Sequence, residues 1–226
     1  SSDLLFGSRG LRTDLEVIRL SVKVARCAGV NDMHLDIGHV GLVRAILKEE
    51  KLDADAMEVL LEALRLKDRV RLDRIKDQLS GEGYQALLTL MQTFGAVEVL
   101  DELREKLPAR AGVLEALDEV ETLAREAGAP HVSVDFCDVH GYGYLTGVSF
   151  AGYVEGLPQP VLRGGRYDDI GIAFGCARPA VGFTLYLREI ISIEYHPLPE
   201  AIVAPAEECE SLAQAIEALR AEGQDR

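Results

Sequence analysis

The chain is short of several things, and each shortage removes a class of function. No apolar run approaches the roughly 18 residues that a bilayer span requires, so no membrane segment is expected. Neither GxxxxGK[ST] nor GxGxxG occurs, so the two common glycine cradles for phosphate are missing. Cysteine is sparse: Cys27, Cys137, Cys176 and Cys209 are far apart and none forms a CxxC pair. They read as reduced thiols of a cytoplasmic protein rather than a disulfide frame or a zinc site. The five histidines are equally scattered, so no metal and no other cofactor is expected. Cations are outnumbered, 24 against 38 acids, for a net charge of −14. That opposes nucleic-acid binding, which needs a basic face. The opening SSDLLFG has neither the basic start nor the apolar core of a signal peptide.

What is present is an ordinary core-forming chain. With 226 residues, 48% hydrophobic and 27% charged, it can bury one large or two small cores. Thr13-Asp14-Leu15-Glu16 has the spacing of a capping box and predicts a helix through Cys27, with Leu15, Ile18, Val22 and Ala25 on one face. Met33 to Gly38 alternates as a strand does. His39 is expected to cap a helix or lie partly buried. From about 40 to 127 the apolar residues recur at helical spacing, with turns expected at Lys51-Leu52-Asp53, Ser80-Gly81-Glu82-Gly83 and Pro108. Charged runs in this block, such as Lys67-Asp68-Arg69, read as solvated faces. Strands are expected at His131–Phe136, 144–154, 160–163 and 179–187, forming an antiparallel sheet of an α+β fold. Pro197 and Pro199 mark a linker, followed by a strand at 201–205 and an amphipathic helix from Glu207 to Leu219.

Residues 140–189 concentrate the chemistry. Gly141, Gly143 and Gly147 punctuate a run bearing Tyr144, Val148, Phe150 and Tyr153, and Leu162-Arg163-Gly164-Gly165-Arg166-Tyr167-Asp168 follows. A glycine pair lets a backbone or ligand approach closely. Arg166, Tyr167 and Asp168 would offer a carboxylate clamp, an aromatic wall and an ammonium acceptor, a set that suits a zwitterion. The plainer reading is a glycine turn with a surface salt bridge.

The series Tyr144-Leu145-Thr146-Gly147, Phe150, Gly164-Gly165-Arg166-Tyr167-Asp168 and Pro179-Ala180-Val181-Gly182-Phe183 resembles the catalytic core of histidyl-tRNA synthetases. The resemblance implies a class II synthetase-like antiparallel sheet with a helical insertion block. It also implies a core over 1–189 and, over 190–226, a linker with the start of a small C-terminal domain. Ser2 to Gly7 resembles a strand that family members reach only after roughly a hundred residues, about one small domain.

The departures from the synthetase pattern matter as much. His140 stands where a synthetase has an arginine that helps activate histidine, and Leu145 replaces a tyrosine. Tyr186, Arg188 and Glu189 stand where the synthetase has a glycine and then Glu-Arg, so an ATP-holding arginine becomes an acid, which cannot offset a triphosphate. The whole run, GYxYxTGxxFAxYVxGLP…RGGRYD…FGxARPAxGFxLxLRE, is similar to the synthetase paralogues that serve as regulatory subunits of ATP phosphoribosyltransferase. That similarity implies a non-catalytic subunit for the first step of histidine biosynthesis and its feedback regulation. The implied partner is the short-form catalytic subunit, with histidine as effector and a homodimer left open. Tyr144, Thr146, Arg166, Tyr167 and Asp168 are the candidate residues of a histidine-like pocket, against an alternative in which the tyrosines pack and Arg166–Asp168 is a structural ion pair. A divergent synthetase and a free-standing histidine sensor are the other readings.

Overall fold

The computed structural model describes residues 2–169, 178–193 and 210–221. The chain divides into two units, Ser1–Ile193 and Glu194–Arg226. The first is built on a six-stranded sheet: β1 (Ser2–Phe6), β2 (His34–His39), β3 (His131–Val134), β4 (Val148–Tyr153), β5 (Leu162–Arg166) and β6 (Ala180–Leu185). Their order is β1-β6-β5-β4-β2-β3. Every pair is antiparallel except β2–β3, which is parallel, so the sheet is mixed rather than wholly antiparallel. The cause is the connection. Parallel neighbours need a long crossover, and the helical block between β2 and β3 supplies it.

That block holds α2 (Val40–Leu47), α3 (Ala54–Leu66), α4 (Arg69–Asp73), α5 (Gly81–Gln92), α6 (Val99–Lys106) and α7 (Ala111–Glu126). Four of these helices start with a side chain that accepts a hydrogen bond from an otherwise orphaned N–H: His39, Asp53, Asp68 and Ser80. His39 also reaches Glu119 of α7, at 3.1 Å from its Nε2. The Ser80-Gly81-Glu82-Gly83 segment, expected as a turn, is the cap and first turn of α5.

Helix α1 (Leu11–Cys27) starts three residues earlier than the capping-box spacing suggests, on Gly10 with φ 111. Thr13 therefore lies inside the first turn, where its hydroxyl meets Ser8 Oγ at 2.6 Å. Glycine, free to enter the left-handed region, sets the start in place of the Thr-x-x-Glu pattern. The buried stripe Val17, Ile18, Val22 and Ala25 faces the sheet, with α1 packed on β5 and β6 and α7 on β2 and β3. Leu35, Ile37, Phe150, Leu162, Val181 and Phe183 come from the strands to the same core. Each such side chain contributes about 1.5–3 kcal/mol on burial. Helix α8 (Leu187–Ile193) closes the unit.

In the second unit a helix, α9 (Glu210–Ala221), covers most of the segment expected as helical. The strand expected at 201–205, and Cys176, Cys209 and His196, lie outside the described residues.

Candidate functional site

Because side chains alternate along a strand, the sheet has two chemically distinct faces. The face under α1 and α7 is mainly apolar, with Arg166 and His39 among its polar exceptions. The other carries a polar row in which Thr184, Arg163, Ala151, Asp36 and Ser133 are register neighbours across five strands. Over this second face lies a cavity of about 600 Å³. Arg163, Ser149, Thr184 and Tyr186 line it from the sheet. Leu4 and Phe6 line it from the edge strand, and Asp138, His140, Tyr144, Leu145 and Tyr167 from the flanking segments.

The cavity's charges are paired with one another. Arg163 Nη1 donates to Asp138 Oδ2 at 2.7 Å, and its Nη2 donates to the Tyr153 hydroxyl at 3.2 Å. His140 Nδ1 lies 2.6 Å from the other Asp138 oxygen. Burial pushes the Asp138 carboxyl up, but Arg163 and His140 more than offset it and hold the group below its ordinary range. Asp138 is thus a carboxylate shared by a guanidinium and an imidazole. Burial, with a smaller contribution from Tyr144, pushes the Tyr167 phenol up to about 12, so it remains a hydroxyl at neutral pH.

The five residues singled out from the sequence divide. Tyr144 and Tyr167 line the cavity, with Tyr144 60% exposed at its mouth. Arg166, Thr146 and Asp168 do not line it. Arg166 is three residues beyond Arg163 on β5, so it points to the opposite, helix-covered face. There its Nε donates to Asp14 of α1 at 2.9 Å, its Nη1 donates to Asp168 at 2.9 Å, and its Nη2 stands 2.7 Å from Asp14. The residue is 7% exposed. Burial pushes the Asp14 carboxyl up while Arg166 pulls against it. The Thr146 hydroxyl accepts from the Asp168 N–H at 3.0 Å and donates to the Arg166 carbonyl at 3.3 Å. These three residues join α1 to the end of β5 and the segment before β4.

The strand expected from residue 144 begins only at Val148. Gly141, with φ 79, turns the chain instead, and the N–H groups of Tyr144 and Leu145 both return to its carbonyl. The glycine pair admits the close approach of neighbouring backbone and side chains, and Gly164 also lines the cavity. A Cβ on Gly164 would fall 2.2 Å from the Phe150 ring and 2.6 Å from the Gly182 carbonyl oxygen; one on Gly165 would meet Leu145 at 2.8 Å.

Alternation along Leu162–Arg166 was the available signal that only one of the two arginines could reach the open face. Asp138 had no signal, because nothing in the sequence pairs it with Arg163. Cys137 is buried and its thiol is pushed well above the ordinary range, chiefly by desolvation. No cluster of metal-ligating side chains occurs among the described residues.

A mixed sheet with helices on one face and a cavity on the other defines a class II synthetase-like α+β domain. Solved structures share it. The chain aligns over 98% of its length, and 59% of the other's, with an ATP phosphoribosyltransferase regulatory subunit/histidyl-tRNA synthetase from Bacillus halodurans, at TM-score 0.75 and 27% identity. A histidyl-tRNA synthetase from Nostoc matches in fold over 98% of this chain and 58% of that one, at TM-score 0.68 and 19% identity. The family model for histidyl-tRNA synthetase matches residues 5–190, and the chain belongs to that family. Two curated relatives carry the name of a regulatory subunit. An ATP phosphoribosyltransferase regulatory subunit from Ralstonia pickettii is 42% identical over 97% of the chain, and one from Burkholderia multivorans is 38% identical over the same share. The chain spans 57% and 58% of these two relatives' lengths.

Proposed function

We propose that this chain is part of a non-catalytic regulatory subunit of ATP phosphoribosyltransferase, acting in the cytoplasm at the first step of histidine biosynthesis under feedback by histidine. The observation that carries the reading is the 42% identity to a regulatory subunit, sustained over 97% of the chain. The site's electrostatics support it. The arginine lining the cavity, Arg163, is already neutralised by Asp138. Just after β6, on the first turn of α8, Arg188 is exposed and Glu189 is half-buried. A triphosphate needs uncompensated cations aimed at it, and this arrangement offers a poor match.

A small zwitterion with a ring is a better match for the cavity. Tyr144 and Tyr167 would be its aromatic walls, with Asp138 and Arg163 exchanging partners with its ammonium and carboxylate. Arg166, Thr146 and Asp168 would act behind the site by holding its walls. Regulation then requires that histidine bind one state of the assembly better than another, since equal affinity shifts nothing. The test is assembly. Full-length protein mixed with a short-form catalytic subunit is expected to sediment as one hetero-oligomer in analytical ultracentrifugation; separate boundaries at micromolar concentrations would overturn the reading. The family match itself favours a second reading, a divergent synthetase, which histidine-dependent ATP–pyrophosphate exchange would reveal.

A further inference from the structure

Between Arg65 and Lys76 the chain carries six of its 24 lysines and arginines and only two acids, Asp68 and Asp73. In a molecule of net charge −14, this stretch is a local reversal of sign. The turn between α3 and α4 presents it. Lys67 is the one non-glycine residue with positive φ among the described residues, at 50°. Its Nζ donates to Asp135 at 2.7 Å and lies 3.4 Å from the centre of the Phe94 ring. That side chain is committed to fixing the turn against the segment that follows β3.

The other cations differ in how far they are committed, and Lys76 Nζ lies 5.0 Å from the centre of the Tyr84 ring. Arg71 is neutralised by Glu62 and Asp68. Arg65 and Arg69 reach Glu62 and Asp73 only at 3.9 Å. Arg74 and Lys76, both exposed, have no carboxylate within ion-pair distance among the described residues. Set among them are two outward apolar side chains, Leu66 at 48% and Val70 at 67% exposed.

We infer that this basic, apolar-studded turn is a docking edge for an acidic protein surface that also offers apolar contacts. Resting on the function proposed above, the partner is the catalytic subunit. Exposed cations raise the encounter rate with an acidic partner, and Leu66 and Val70 supply the dry contact that holds it. A nucleic acid fits less well: Asp68, Asp73 and Asp77 interrupt the cations, and phosphate makes no use of an exposed valine.

The experiment measures the affinity of the full-length protein for the short-form catalytic subunit at low and high salt, and for a tRNA transcript in parallel. The variants are R69E/R74E/K76E, Val70→Asp, and Lys23→Glu as an exposed control on α1. Circular dichroism verifies that each is folded. The triple variant is expected to weaken partner binding about tenfold or more and to flatten its salt dependence. Val70→Asp is expected to weaken binding at every salt concentration, and Lys23→Glu to leave it unchanged. Wild-type binding that both patch variants reproduce overturns this inference and leaves the proposed function standing. Loss of transcript binding without loss of partner binding also overturns it. If the wild type itself does not bind, the proposed function fails and this inference fails with it.

Discussion

Arg163 and Arg166 differ in role because three residues along a strand is an odd step. Arg163 faces the cavity, while Arg166 is buried under α1 against Asp14 and Asp168. Removing one partner of a buried pair leaves the other charged and uncompensated, at a cost of about 3–5 kcal/mol, whereas replacing both with apolar groups is often close to neutral. Arg166→Leu is therefore expected to lower unfolding free energy in urea by about 3–5 kcal/mol, and Arg166→Leu with Asp14→Leu to recover much of that loss. An Arg166→Leu variant of unchanged stability that no longer binds histidine would instead make Arg166 a ligand residue. The sequence marks the arginine but not its main partner. GGRYD advertises charge and glycine together, but Asp14 lies 152 residues from Arg166 and nothing local announces the pair.

At the scale of elements, the helices were the most legible part, because caps and 3.6-residue periodicity are local. His39 as a capping residue and the helical block beginning near 40 both follow from short-range signals. The strands were less legible. Gly141 and the turn after it delay β4 to Val148, and the parallel pairing of β2 with β3 depends on a crossover that no single strand encodes. Gly164 shows how tertiary packing specifies which close approach a glycine pair serves, where local reading leaves backbone and ligand both open. Its missing Cβ makes room for the Phe150 ring and the Gly182 carbonyl, and backbone cannot move aside cheaply. Gly164→Ala is expected to destabilise the domain by about 1–3 kcal/mol, read as a lower thermal midpoint. Unaltered stability would mean that the β4–β5–β6 packing is looser than described.

At the scale of the whole molecule, a class II synthetase-like sheet supports a cavity whose arginine is tied to an aspartate and whose mouth is framed by tyrosines. Such a fold hosts more than one function, so the function has to be argued from the site and the relatives rather than the sheet. The most direct measurement is phosphoribosyl transfer to ATP by a short-form catalytic subunit, with and without the full-length protein, across a histidine titration. The account predicts that activity rises when the protein is added and that histidine suppresses the activity of the mixture. Catalysis that is the same with and without the protein at every histidine concentration would contradict it.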